Sequence, residues 1–413
     1  MKNKTTTKTI RSGFERGMDF TGWVSKLVAV VCVGQIAAGG LAPDGPGGGV
    51  CLAGDFPPVA AQKSLIGVNW AGPEFAGRNL PGVEGQHYGW PTAESLDYWK
   101  SKGVVLIRLP FLWERLQPAL NGEFDPGYLA ALKRSVGLIR ERKMMVLLDL
   151  HNYGNYRGQH IGTEMVPVAG FADVWRRLAL EFKGDAAVCG YGLMNEPSCK
   201  PWVEFVQAAI DAIRAVDTKT AIFVANDYPG WGASAQHIKK YGGEAGKRGD
   251  LATWAAERMP IGDPKMLKDP SDNIVFEAHI YFDHDNSGTY KKTYAEEIAR
   301  KDGPGARVSP NVGVERLAPF AAWVKQNNVR GFVGEFGVPA NPDIDPRWLD
   351  ALDNAVAFMK ANGLHGTYWA AGSRWTHGRD YVIEPQGWAT TLPPEERVKD
   401  RPQLKVLQKH LKP

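Results

Sequence analysis

The chain has 413 residues, 44% of them hydrophobic and 23% charged, which supplies a full core and excludes a largely disordered protein. A formal charge of +4 is small at this length, and no Lys/Arg-rich run is interleaved with aromatics, so nothing electrostatic points to nucleic acid or an anionic membrane surface. Fourteen Trp residues favour partners with flat apolar faces, sugars among them.

The N-terminus carries Lys2, Lys4, Lys8, Arg11, Arg16 and Lys26, then an uncharged stretch over 27–42 and a Gly/Pro-rich PDGPGGG at 43–49. Basic, then apolar, then small residues is the order of an export signal, and the apolar part is shorter than the roughly 20 residues a bilayer span needs. Residues 1–42 are therefore expected to be a signal peptide and 43–60 a Gly/Pro-rich linker. Residues 61–413 would form one domain that is periplasmic or secreted, monomeric and without a membrane span after processing. Of Cys32, Cys51, Cys189 and Cys199, the last two flank an extended segment whose ends lie too far apart for a mutual disulfide.

From residue 60 onward short apolar runs alternate with longer amphipathic ones. Eight runs read as strands: 64–70, 104–110, 144–151, 187–196, 221–227, 273–281, 331–337 and 366–372. Several are apolar nearly throughout, as parallel strands covered on both faces must be. Helical patterns lie between them at 128–142, 171–182, 202–216, 314–327 and 348–362, and a last one at 404–411. No Gly-rich phosphate turn follows the first strand, so the repeats predict an α/β fold closed as a (β/α)₈ TIM barrel, not an open doubly wound sheet. Two long connections, 228–272 and 282–311, are placed to wall or cover a cleft.

Active groups of such a barrel gather at the C-terminal ends of the strands. Reading those ends gives Arg108, then His151 with Asn152, Asn195 with Glu196, His279 with Tyr281, Glu335, and Trp369. Glu196 and Glu335, from the fourth and seventh strands, would face each other across the mouth. Two carboxyl groups about 5 Å apart are what retaining glycoside hydrolysis needs: one attacks the anomeric carbon while the other protonates the departing oxygen. On this reading Glu335 raises the proton affinity of Glu196, and Arg108 and the Tyr281 hydroxyl keep Glu335 ionised. Asn195 would hydrogen-bond the sugar 2-hydroxyl. Trp70, Trp90, Tyr228, Trp231 and Trp375 are candidate aromatic platforms. Glu114, Glu164 and Asp283 read as solvated or loop-stabilising.

The motifs IRLPFLWERLQP (107–118), LLDLHNYGNY (147–156), YGLMNEP (191–197), EAHIYFD (277–283), VGEFGVP (333–339) and TYWAAG (367–372) resemble glycoside hydrolase family 5 of clan A, over roughly 64–390. The resemblance is strongest to its endo-β-1,4-glucanase (cellulase) branch. It implies a (β/α)₈ catalytic domain with Glu196 as acid/base and Glu335 as nucleophile. It implies also that Arg108, His151, Asn195, His279 and Tyr281 shape the site, with Trp369 under the sugar at the cleavage point.

The bland alternatives are an Arg108 that only pairs with Asp149 or Glu277, buried structural histidines at 151 and 279, and a core Trp369. The coincidence of all these on one rim favours the catalytic reading. His151, His160, His279, His284 and His377 lack metal-ligand spacing, so no metal and no cofactor is expected. The expected partner is a β-glucan polysaccharide or oligosaccharide. A β-mannanase, another β-glucan hydrolase, or a sugar-binding barrel without turnover are the alternatives.

Overall fold

The computed structural model describes residues 64–199, 201–225, 264–300, 307–339, 344–372, 374–375, 382–385 and 400–411. Strand β1 (Ile66–Trp70) is followed by helix α1 (Ala93–Ser101), β2 (Leu106–Phe111), the short α2 (Trp113–Leu116), α3 (Pro126–Glu141) and β3 (Met145–Leu150). A small hairpin, β4 (Asn155–Tyr156) and β5 (Gln159–His160), precedes α4 (Val168–Phe182), β6 (Val188–Gly192), α5 (Trp202–Arg214) and β7 (Ala221–Ala225). Then come β8 (Ile274–Tyr281), α6 (Tyr294–Ala299), α7 (Val312–Asn327), β9 (Arg330–Gly337), α8 (Pro346–Ala361), β10 (His365–Ala371) and α9 (Pro402–Leu411). Strands β1, β2, β3, β6, β7, β8, β9 and β10 pair in parallel, and β10 returns to β1 to close the predicted barrel.

The helices start and pack where the sequence dictates. Asp125 and Asp345 cap α3 and α8 from the side chain, each with Pro at the first helical position, and Thr293 with Glu296 forms a capping box on α6. In α4 the residues Phe171, Val174, Trp175, Leu178, Ala179 and Phe182 are buried, a spacing of three and four that turns one stripe toward the strands. Helix α5 repeats it with Phe205, Val206, Ala209, Ile210 and Ile213. The predicted signal peptide and linker, with Cys32 and Cys51, lie outside the described residues. Cys189 and Cys199 are buried and not joined to each other.

Strand alternation sorts the barrel into two compartments. One set of side chains packs outward against the helices. The inward set forms an apolar floor of Leu106, Leu147, Cys189, Ala221, Phe223, Val275 and Phe332. Directly above that floor, two residues further along the same strands, the inward positions become Arg108, Asp149 and Glu277. The interior is thus apolar at the bottom and ionic toward the C-terminal end.

The same alternation corrects one expectation. Trp70 is not a sugar platform: it is completely buried and its indole N–H donates to Ser95 Oγ on α1 at 2.8 Å. Its strand neighbour Asn69 takes the inward position, with its amide donating to the carbonyls of Gly334 and Thr367.

Candidate active site

Arg108 is the hub of the ionic layer and has no exposure to solvent. Its Nη1 donates to Asn69 Oδ1 at 2.9 Å and to Glu335 Oε1 at 3.4 Å. Its Nη2 reaches Asp149 Oδ1 at 3.0 Å, Asn195 Oδ1 at 2.8 Å and Glu277 Oε1 at 3.0 Å. Burial opposes a charged guanidinium, but Asp149, Glu277, Glu335 and Glu196 outweigh it and push its proton affinity up. One cation thus pairs with its strand neighbours and also with Glu335. Arg108 sits inside β2, short of the strand end where the sequence placed it.

A β-bulge aims Glu335. Between β8 and β9 the register runs Ala278 to Val333 and then His279 to Glu335, so Gly334 is an extra residue in β9. A bulge re-aims the side chains that follow it, and here it turns Glu335 inward beside His279. Only glycine fits at 334, because a Cβ there would collide with the Glu277 carboxylate. Tyr281 Oη then donates to Glu335 Oε2 at 2.6 Å.

Glu196 arrives differently. It lies beyond the end of β6, in a left-handed backbone conformation with φ of 39° before Pro197. Such a conformation costs a non-glycine residue roughly 1–3 kcal/mol and persists only where the surroundings enforce it. Its Oε1 lies 3.0 Å from His279 Nδ1, while His279 Nε2 lies 3.0 Å from Glu277 Oε1. One donor atom from each of Glu196, His279 and Glu335 lies within 4.8 Å of the others.

The charges settle by proximity. Burial works against a charged His279, but Glu335, Glu196 and Glu277 override it and push it up to about 10. Burial raises both carboxyls; His279 more than compensates at Glu196, which falls below its ordinary value. Glu335 stays above its ordinary value, because burial and the Glu196 charge outweigh His279 and Arg108. This reverses the expected order. The physical reason is the close Nδ1 contact, which sets the His279 charge directly beside Glu196.

Glu196, His279 and Glu335 are also the donor types of a metal site. The set fits a cation poorly, since both imidazole nitrogens already face carboxylates and Arg108 supplies positive charge to Glu335.

The opposite wall is aromatic. His151 Nδ1 lies 2.8 Å from Asp149 Oδ2, and its ring stacks on Trp369 with centroids 5.6 Å apart and planes 13° from parallel. Trp369 is only partly buried, and Trp375 meets it edge-on at 6.0 Å. Asn195 uses its oxygen on Arg108, and its Nδ2 has no protein partner among the described residues. Arg108, His151, Asn195, Glu196, His279, Tyr281, Glu335 and Trp369 thus converge at one end of the barrel.

The weaker candidates divide. Trp90 is buried against Tyr128 and belongs to the core. Tyr228 and Trp231 lie outside the described residues. Glu114 and Asp283 serve loops: Glu114 accepts from Asn152 Nδ2 and the Arg157 N–H, and Asp283 accepts from the N–H groups of Gly288 and Thr289. Glu164 is exposed. Sequence reasoning passed over Asn69 as a site residue and treated Asp149 and Glu277 only as pairing partners. The available signal was a polar residue inside an otherwise apolar strand, as in GVNW, LLDL and VFEAH.

The family model described as "Cellulase (glycosyl hydrolase family 5)" matches residues 68–374. The chain belongs to glycosyl hydrolase family 5. Endo-beta-1,4-glucanase B of Emericella nidulans is 31% identical over 329 residues, which are 78% of this chain and 86% of that protein. The Pseudomonas stutzeri endoglucanase Cel5A, solved with cellobiose, superposes with a TM-score of 0.68 at 36% identity, covering 84% of this chain and 92% of that one. XacCel5A, solved with cellopentaose, superposes with a TM-score of 0.67 at 35% identity, covering 84% of this chain and 99% of that one. The family assignment agrees with the closed barrel and with the resemblance carried by the motifs.

Proposed function

We propose that this family 5 protein is a retaining endo-β-1,4-glucanase that cuts internal bonds of cellulose-like or related β-glucans, with Glu335 as nucleophile and Glu196 as acid/base. The observation that carries this reading is the approach of the two carboxylates to within 4.8 Å. Retaining enzymes hold their pair about 5–5.5 Å apart, whereas inverting ones need about 6.5–9.5 Å to admit a water. The names of the relatives and the cello-oligosaccharides bound in the two solved structures support the substrate class.

In the first step a Glu335 oxygen bonds to the anomeric carbon as the glycosidic C–O bond breaks. The departing oxygen takes the proton that the His279–Glu196 pair holds, passed through the Glu196 carboxyl. In the second step water attacks the glycosyl ester, gives its proton to Glu196, and releases Glu335. Arg108 and Tyr281 orient the nucleophile and stabilise it as an anion. The Asn195 Nδ2 is available to the sugar 2-hydroxyl, and Trp369 supports the ring.

Carboxymethylcellulose tests the endo reading: its viscosity should fall well ahead of the rise in reducing ends. Proton NMR early in hydrolysis should show the β-anomer first. An α-anomer first, a strong preference for mannan, or binding without cleavage would each overturn the assignment. Activity should survive exhaustive chelation. The reading includes export through residues 1–42 and action as a monomer, checked by N-terminal sequencing of the mature protein and by light scattering. No helix among the described residues is long and apolar enough to cross a membrane.

A further inference from the structure

Tyr153 has no role in the reading above, yet it stands beside Glu196. It follows β3 in the HNY segment and is 46% exposed, unlike most large aromatic side chains among the described residues. Exposure alone means little. Four further observations give it meaning.

First, its backbone is in the left-handed region, with φ of 54°, a conformation that a bulky side chain rarely adopts and that clusters at functional sites. Second, the loop is held rigid around it. Its carbonyl accepts from Asn155 Nδ2 and from Ser198 Oγ, both at 2.8 Å, and Ser198 lies two residues beyond Glu196. The preceding residue, Asn152, is fixed by Glu114 and by the Trp113 N–H. A ring that is both exposed and immobilised loses little entropy on contact with a ligand.

Third, the hydroxyl is oriented. Tyr153 Oη lies 3.1 Å from His151 Nε2, while His151 Nδ1 faces the Asp149 carboxylate. The imidazole is stacked on the Trp369 π-face, which favours its cationic form. Burial opposes that charge, but Asp149, Glu74 and Glu335 raise its proton affinity above the ordinary value. When the imidazole carries its second proton both ring nitrogens donate, and Tyr153 Oη then accepts from Nε2. Its own hydrogen is then left without a protein acceptor among the described residues. Fourth, desolvation together with the charges of Glu196 and Glu335 keeps the phenol protonated, so it is a donor at any working pH.

We propose that Tyr153 contacts the substrate: its ring flanks the β-glucosyl unit seated on Trp369, and its phenolic O–H donates to a hydroxyl of that unit. The proposal rests on the hydrolase reading and adds a specificity-determining residue to it. Trp369, His151 and Tyr153 would form one continuous surface, with the Tyr153 ring at 83° to the His151 plane and so turned as a side wall to the Trp369 floor.

Cellotetraose binding in the Glu335→Gln background, measured by calorimetry, gives the direct test. Tyr153→Phe keeps the ring and loses the donor, and should weaken binding roughly tenfold, one hydrogen bond's worth. Tyr153→Ala should weaken it about tenfold more through loss of the aromatic wall. In the otherwise native protein, kcat/KM on 4-nitrophenyl β-cellobioside should fall in parallel, because that substrate keeps the ring over Trp369. Thermal unfolding of Tyr153→Phe should match the parent. Binding and turnover within twofold of the parent would overturn the proposal. So would a displaced pH profile with unchanged binding, which marks a residue that only positions His151. A parent that neither binds nor cleaves β-glucan would sink the hydrolase reading, and this proposal with it.

Discussion

Tyr281→Phe tests one bond to Glu335, the proposed nucleophile. It deletes the 2.6 Å O–H donor to Glu335 Oε2 and leaves the ring, along with the Arg108 contact at 3.4 Å and the His279 contact at 3.7 Å. A hydrogen bond to a charged group contributes about 1.5–3 kcal/mol, all of it here to the anionic form of Glu335. Loss of the donor therefore raises a carboxyl that burial and Glu196 already hold above the ordinary range. Glu335 must be ionised to attack, so the acid limb of kcat/KM should move to higher pH. Below that limb activity should drop by roughly ten- to a hundredfold, the rate equivalent of the lost bond. Above it both enzymes hold the anion and the gap should close. Stability carries the same sign. A carboxyl raised in the folded state binds more protons there than in the unfolded chain, so its contribution is present at low pH and lost as pH rises through the folded value. The variant should accordingly lose more melting temperature at neutral than at acid pH. Stopped assays on an aryl cellobioside from acid to neutral pH provide the measurement. An acid limb that stays put, or moves down, would show that Tyr281 does not stabilise the Glu335 anion.

Four further variants have defined outcomes. Glu335→Gln should abolish turnover while keeping oligosaccharide binding; Glu196→Gln should fail on polysaccharide yet still accumulate a glycosyl-enzyme, seen by intact mass, from a dinitrophenyl glycoside that needs no proton donor. Arg108→Met leaves Asp149, Glu277 and Glu335 without their cation and should cost about 3–5 kcal/mol in denaturant unfolding at pH 7, less near pH 4 where carboxylates can protonate. His365, buried and accepting from the Leu65 N–H, is pushed down to about 4 by burial and Arg330. Its stabilisation is present above the unfolded value near 6.5 and is lost as pH falls through about 4; His365→Asn should remove roughly 3 kcal/mol of that acid-side slope in melts at stepped pH.

The barrel was legible because its cause is local. Eight apolar runs separated by stripes of three-and-four spacing have one economical closure, and the strand centres came out as read. Ends were less legible: Glu196 was read as the end of a strand that stops at Gly192, since MNEP continues the apolar run while its backbone leaves the sheet. Trp70 misled for a related reason. In a strand covered on both faces a Trp suits either side, and only the adjacent Asn69, the polar residue of an apolar run, marks which positions face the lumen.

Which residues to consider for the chemistry was thus a property of the sequence, because ionisable side chains inside apolar strands are stable only where they find polar partners. Their distances were not. The one-residue bulge at Gly334 that brings Glu335 beside His279, and the five-way engagement of Arg108, depend on how neighbouring strands slip and tilt when the sheet closes. The proton order of Glu196 and Glu335 depends on them in turn, for it follows from contacts between residues 83 and 139 positions apart in the chain. Coulomb energies at 3 to 4 Å in a buried site change with each ångström, and only the closed barrel sets those ångströms.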